Sequence, residues 1–158
     1  MFKKWFSILA VILVCLAGLS GCGVLSKAGT SGADSKVPSA SPQQVVQSFY
    51  DAYYEKIGDR YSENFHNPLV EKTYRDIPYL SDDFLKEIDI KLGNPEEIFY
   101  DPFLCAQDIP GKMVAGEAVI DGDTAVVPVS SDWAGHAFNV SLQKIDGEWK
   151  ITGIHCNF

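Results

Sequence analysis

Cysteine and histidine side chains are the groups in this chain that could do covalent or metal chemistry. Of its four cysteines, Cys105 and Cys156 lie in the part of the sequence that predicts a folded domain, and three uses are open to them. They could form a disulfide bond, Cys105 could be a nucleophile with His136 or His155 as its base, or both could bind zinc together with His155. Joint zinc binding by His155 and Cys156 is awkward, because adjacent strand residues point to opposite faces.

A second group of polar residues lies in a loop interrupted by prolines. Asp101, Gln107 and Asp108 precede the predicted sheet, where they could form the polar rim of an apolar pocket lined by aromatic residues of the first helix and the sheet. The alternative, which the pattern favours, is that Asp101 caps the loop and the Gln107 amide is buried in a hydrogen bond. In the next strand connection Trp133, beside His136, is either an exposed anchor for a protein partner or folds back over the core.

Residues 1–21 predict an export signal. Lys3 and Lys4 supply positive charge, and Ser7–Gly18 is an apolar run that is shorter than the roughly 20 residues needed to span a bilayer. The segment 19–22 (LSGC) resembles the lipobox of bacterial lipoproteins. The resemblance implies that Cys22 carries acyl chains such as palmitate and becomes the mature N-terminus. The protein would then be anchored on the extracytoplasmic side of the cell membrane, or on the outer membrane if the host has one.

An oxidising compartment favours a disulfide bond between Cys105 and Cys156. The bond would close a loop of about 50 residues, stabilise the fold by about 4 kcal/mol on the loop-entropy estimate, and attach the proline-containing loop to the last strand. A catalytic thiol at Cys105 would compete with this oxidation. We therefore expect a disulfide-bonded domain with no catalytic set, no metal and no cofactor.

The net charge of −8 argues against nucleic acid as a partner, because binding phosphates needs a basic face. Residues 22–41 are rich in Gly, Ser and Ala and predict a lipidated flexible linker. Residues 42–158 predict a single domain. An acidic domain is repelled by an anionic membrane surface, so we expect it to stand off from the membrane that anchors it.

The domain sequence predicts helices first and strands afterwards. The segment 41–44 (SPQQ) is typical of a helix start, and the apolar spacing that follows predicts an amphipathic helix. Further helices are predicted to begin at Asn67 and Ser81. Pro128 indicates an edge or a bend in its strand, and Gly153 indicates a bulge. The four predicted strands, two pairs of which are joined by Asp-Gly turns, are 113–120, 124–131, 136–145 and 148–155.

Helices packed on one face of a curved four-stranded antiparallel sheet give an α+β fold. This order of elements is that of the cystatin-like, nuclear-transport-factor-two-like cone. Within that superfamily, the chain resembles one bacterial family, a domain of unknown function found in small exported lipoproteins. That family has no established catalytic residues, so the resemblance implies none here. The matching segments are 46–54 (VQSFYDAYY), 101–108 (DPFLCAQD), 122–127 (GDTAVV) and 146–151 (DGEWKI).

These features favour a membrane-anchored, non-enzymatic binding or accessory module of the cell envelope, whose partner is an envelope protein or a small molecule. The alternative is a small enzyme of isomerase or hydrolase type, with Asp101 or Asp108 and one of His136 and His155 transferring protons inside the cone. A third hypothesis is a toxin-neutralising immunity protein, because a small acidic exported protein can mask a basic toxin.

Mass spectrometry of the chain purified from its own cells tests the export signal. We expect a mature N-terminus at Cys22 with the added mass of acyl chains, recovered in the membrane fraction. A cytosolic chain that keeps Met1 and carries no added mass would contradict the anchor, the location and the compartment argument for the disulfide together.

Overall fold

A computed structural model describes residues 39–94 and 99–157 of the chain. The predicted export signal (1–21), the lipid-bearing Cys22 and most of the linker lie outside these residues and remain predictions. In the described part, three α-helices precede five strands, all within one compact unit, Val37–Phe158. No helix in this part is long and apolar enough to cross a membrane.

The first helix begins at the predicted place and for the predicted reason. Ser41 Oγ accepts a hydrogen bond from the Gln44 amide at 3.2 Å, and Gln44 Oε1 accepts one from the Ser41 amide at 2.8 Å. This reciprocal capping box pairs two amides that a helix start leaves free. The other two helices also start where the sequence predicts. The helices are α1 (Pro42–Ile57), α2 (Pro68–Glu71, followed by a short 3-10 turn, Thr73–Asp76) and α3 (Asp82–Leu92).

The strands form one curved antiparallel sheet, so the α+β class is confirmed. Its hydrogen-bonded order is β1-β3-β4-β5, and β2 pairs with β3 further along the same edge. The prediction of four strands is wrong, because the described sheet has five. They are β1 (Met113–Ala115), β2 (Val119–Asp121), β3 (Thr124–Ser131), β4 (Ala137–Ile145) and β5 (Glu148–His155).

The extra strand arises because the predicted strand 113–120 is broken next to Pro128. Proline has no amide hydrogen, so it cannot donate to a neighbouring strand, and the ladder is interrupted opposite it. The Gly116 amide donates to the Pro128 carbonyl at 2.7 Å. A Cβ atom at Gly116 would lie 3.0 Å from the Pro128 ring. Glycine therefore permits the close crossing that divides one predicted strand into β1 and β2.

The bulge predicted at Gly153 is confirmed. The register between β4 and β5 shifts beside Ser141, which lies opposite Gly153, and Thr152 is the additional residue on β5. The missing side chain at Gly153 leaves room for the His155 ring, whose Nε2 lies 2.8 Å from Ser141 Oγ. The bulge thus directs His155 across the outer face of the sheet.

Other parts of the chain bond to backbone groups of β1 and β5, on the two edges of the sheet. On the β1 edge, the Gln47 side chain of α1 accepts a hydrogen bond from the Ala115 amide at 3.0 Å. On the β5 edge, the Ile151 amide donates to the Tyr79 carbonyl at 2.8 Å, and the Ile151 carbonyl accepts from the Ser81 amide at 2.9 Å. The Ala115 amide and both backbone groups of Ile151 are therefore satisfied within the chain and are not open to pairing with another one.

The core lies between α1 and the inner face of the sheet. The predicted alternation is confirmed on β4, where Phe138, Val140 and Leu142 are buried, and on β5, where Trp149 and Ile151 are buried. One face of α1 supplies the opposing layer, so the helix packs along its whole length. Its buried apolar residues after the first turn are Val45, Val46, Phe49, Tyr50, Tyr53 and Ile57.

The predicted disulfide between Cys105 and Cys156 is confirmed, with the two Cα atoms 5.3 Å apart. It joins the loop before β1 to the residue after β5. Closing a loop of this length stabilises a fold by about 4 kcal/mol on the chain-entropy estimate. A sulfur in a disulfide is neither a free thiolate nor a zinc ligand, so the bond rules out the nucleophile and zinc alternatives for this pair.

Candidate functional site

A tight buried turn, 101–106, lies between α1 and the sheet, and Asp101 holds it together. Asp101 Oδ1 accepts hydrogen bonds from the amides of Phe103 at 2.8 Å and Leu104 at 3.2 Å. The Asp101 amide donates to the Ala106 carbonyl at 2.8 Å. An aspartate followed by proline favours this arrangement, because its side chain can cap amides two and three residues on. The predicted capping role of Asp101 is confirmed.

The second carboxylate oxygen of Asp101 binds α1. Tyr53 Oη donates to Asp101 Oδ2 at 2.6 Å. Burial raises the pKa of Asp101 above its ordinary value, although the hydrogen bonds from Tyr53 and the two turn amides act in the opposite direction. Burial, together with the nearby negative charge of Asp101, also raises the pKa of Tyr53. The phenol therefore stays protonated and keeps donating to the carboxylate.

Phe103 places the turn at the centre of the core. Its carbonyl accepts a hydrogen bond from Tyr50 Oη at 3.1 Å, and its ring is fully buried. Tilted and edge-on contacts of this kind add to the stability given by burial alone. The surrounding rings, with centroid distances of 5.2 to 6.3 Å, are Phe49, Tyr53, Tyr74 and Phe84.

A cavity of about 440 Å³ opens beside this turn, and Asp101, Gln107 and Asp108 all line it. These three polar residues therefore lie beside one cavity, as one interpretation of the sequence predicts. The predicted burial of the Gln107 amide is wrong, because Gln107 and Asp108 are both exposed. The predicted source of the aromatic lining is also wrong: Phe65 and Phe99, from two loops, line the cavity, since the rings of α1 are used in the core.

His66 was not singled out by the sequence, yet it lines the same cavity. Its Nδ1 lies 3.2 Å from Glu71 Oε1. The local cause is the start of α2, where Asn67 caps the helix and Pro68 follows it, so that Glu71 lies one turn later and faces back toward the cap. A helix-start signal with an acidic residue four positions on could have revealed this pair. A histidine beside a carboxylate is an arrangement that can transfer protons.

Trp133 and His136 lie in the connection between β3 and β4. Trp133 is exposed rather than folded over the core. His136 Nε2 donates to the Cys105 carbonyl at 3.1 Å, since a carbonyl only accepts, and its Nδ1 lies 2.8 Å from Ser131 Oγ. His136 is therefore a structural contact that ties this connection to the buried turn.

The predicted pairing of Asp101 or Asp108 with His136 or His155 is not formed. His136 bonds Ser131 and a carbonyl, and His155 bonds Ser141 on the outer face of the sheet. In residues 39–94 and 99–157, no group of three or more His, Cys, Asp or Glu side chains is arranged to hold a metal ion.

The described fold is similar to solved structures of a protein complex. No protein-family model matches this chain, and no curated protein matches it. Two structures of the type VI effector–immunity complex Tae3–Tai3 from Ralstonia pickettii do. The native form matches at 25% identity with a TM-score of 0.55, over 75% of this chain and 96% of the matched chain. The selenomethionine form matches at 26% identity with a TM-score of 0.54, over 75% of this chain and 97% of the matched chain.

This similarity overturns the prediction of a non-enzymatic binding or accessory module of the envelope, and with it the prediction that the chain is not an enzyme. Each of these complexes contains an effector, and this finding contradicts the prediction. The prediction failed because fold and composition alone do not determine function.

The raised pKa of Asp101 predicts a pH-dependent contribution to stability. The pKa of Asp101 is higher in the folded chain than in the unfolded chain, where it is about 4. Its contribution to the free energy of unfolding is therefore fully present below about pH 4 and is lost as the pH rises through the folded pKa. We expect the difference in unfolding free energy, wild type minus Asp101→Asn, to fall in urea titrations as the pH is raised from below about 4.

The substitution keeps an oxygen that can accept from the two turn amides, so its other effects do not depend on pH. Asp108→Asn, at an exposed position in the same loop, is the matched control for replacing a carboxylate by an amide. A difference for Asp101→Asn that does not change with pH would contradict the assignment.

Proposed function

We propose that this chain is one member of an effector–immunity pair and acts by forming a complex with a second protein. The observation that carries the proposal is the extent of the similarity, which spans 96% of a chain taken from such a complex. The 75% of this chain that takes part is close to the share occupied by the predicted domain, residues 42–158. The similarity therefore concerns a whole domain rather than one common motif.

The cavity beside the buried turn is the site at which an enzymatic activity of this chain would reside. It is lined by His66, whose ring contacts Glu71, and by the carboxyl-bearing residues Asp101 and Asp108. A histidine held by a carboxylate can accept a proton from water or from a substrate and return it to a leaving group. The exposed carboxylate of Asp108 favours a substrate with positive charge.

We also propose that the chain is exported and anchored by Cys22 on the extracytoplasmic side of the membrane. The lipobox-like segment 19–22 supports the anchor. The bond between Cys105 and Cys156 supports the compartment, because disulfides persist where the environment is oxidising. The long first helix followed by an antiparallel meander supports membership of the cystatin-like superfamily, and the 101–108 segment supports the lipoprotein family that it resembles.

A binding and growth experiment tests whether this chain is a member of an effector–immunity pair. The full chain is titrated by calorimetry with purified Tae3, with purified Tai3 of Ralstonia pickettii, and with the product of the gene beside its own. We expect an equimolar complex with one of them, tighter than about 1 μM. Co-production of this chain and its partner should relieve a growth arrest that one of the two causes alone. No complex and no effect on growth would contradict the proposal.

The same experiment locates the activity. If this chain is the one that arrests growth, His66→Ala abolishes the arrest while the complex still forms. His155→Ala is the matched control, because His155 is an exposed histidine on the outer face of the sheet and its loss should leave the arrest unchanged. An arrest that survives His66→Ala would exclude the cavity as the site.

A further inference from the structure

Four aromatic side chains are exposed on loops near the C-terminal end of α1. Phe99 and Tyr61 are 74% and 83% exposed, and Phe65 and Trp133 are 43% and 39% exposed. Exposed aromatic rings are costly to keep in water and are enriched at the centres of protein interfaces. We call Tyr61, Phe65, Phe99 and Trp133, with the cavity between Phe65 and Phe99, the loop surface.

The loops that carry Tyr61 and Trp133 are tied to one another through segment 105–112. Tyr54 Oη donates to the Pro110 carbonyl at 2.7 Å, and the Arg60 guanidinium donates to the Ile109 carbonyl. On the other side, Asp132 Oδ1 accepts from the Gly111 amide at 3.0 Å. The loops that carry Tyr61 and Trp133 are therefore held in place before any partner arrives, which reduces the entropy lost on binding.

Glycine makes this arrangement possible at two positions. Gly58 ends α1 with a φ of +70°, and a Cβ atom there would lie 2.5 Å from the Asn64 carbonyl oxygen. A Cβ atom at Gly111 would lie 2.5 Å from the Asp132 carboxylate. Both close approaches fix loops of the surface, one carrying Tyr61 and Phe65 and the other adjoining Trp133.

The charge around the rings selects the partner. Segments 59–66, 99–112 and 131–136 carry four exposed carboxylates, against the basic side chains of Arg60 and Lys112. Arg60 is already engaged, because its guanidinium lies 4.7 Å from the Tyr61 ring centroid and bonds the Ile109 carbonyl. A partner with a basic surface complements this charge. The exposed carboxylates are those of Asp59, Glu63, Asp108 and Asp132.

We propose that the loop surface is the docking site for a protein partner with a basic surface, which inserts a side chain into the cavity between Phe65 and Phe99. This inference rests on the proposed effector–immunity pair, because both members of such a pair must present a surface to the other. A cavity of about 440 Å³ can hold an arginine or an aromatic side chain.

The test compares two pairs of substitutions in the full chain, with Tae3, Tai3 and the product of the adjacent gene as probes. Tyr61→Ala with Phe99→Ala removes two rings of the loop surface. Val119→Ala with Val126→Ala is the matched control, since Val119 is 72% exposed and both valines lie on the outer face of the sheet. All four positions are exposed, and thermal unfolding with an intact Cys105–Cys156 bond verifies the fold.

We expect the Tyr61→Ala/Phe99→Ala double variant to bind its partner roughly thirtyfold more weakly than wild type. The Val119→Ala/Val126→Ala double variant should change the affinity by less than about twofold. Asp108→Asn should slow association several-fold, and raised salt should reduce that difference. Equal affinities for the two double variants, or a loss of affinity confined to the valine double variant, would overturn the docking site. Either result would leave the proposed effector–immunity complex unaffected.

Two further outcomes count against the proposal. If wild type binds none of the probes, the effector–immunity proposal fails and the docking site fails with it. If wild type sediments with phosphatidylglycerol vesicles and the Tyr61→Ala/Phe99→Ala double variant does not, the rings contact lipid and the protein-docking site is overturned.

Discussion

The carboxylate of Asp101 is buried, and its hydrogen bonds explain the arrangement of the rest of the domain. One oxygen accepts from two amides of the turn, and the other accepts from Tyr53 on α1. A buried carboxylate without such partners would cost several kcal/mol, so the turn and the helix must keep this geometry together. Phe103 is consequently held at the centre of the aromatic core.

The same turn is attached to the sheet at Cys105. The Cys105 carbonyl accepts from His136, its side chain is bonded to Cys156, and its backbone has a φ of +51°. A left-handed backbone is unfavourable for a residue other than glycine, so these two attachments hold it there. The helix, the turn and one end of the β4–β5 pair thus form one unit, and the loops that leave it have fixed starting points.

Much of the fold could be predicted, because it depends on local patterns. The capping box at Ser41 and the alternation on β4 follow from residues close together in the sequence. The Cys105–Cys156 bond could be predicted as well, because the oxidising compartment implied by the export signal favours pairing of these two cysteines. The division of the first strand could not, since it depends on Gly116 crossing Pro128 in a strand that comes later.

The site was only partly predictable for the same reason. Asp101, Gln107 and Asp108 share one loop, and their proximity could be predicted. The cavity is completed by residues 57–69, which lie more than thirty positions earlier, and only the tertiary structure brings these two segments together. No sequence pattern predicts that the aromatic rings of α1 pack in the core and that loop residues line the cavity instead.

Native-state hydrogen exchange at the amides of Phe103 and Leu104 tests the central role of the buried turn most directly. If Asp101 holds the turn as part of the core, both amides exchange only through global unfolding, and their opening free energy equals that of the whole domain. Exchange through a local opening of much lower free energy, while the β4 amides remain protected, would show that the turn is a separate, weakly held segment and would contradict this account.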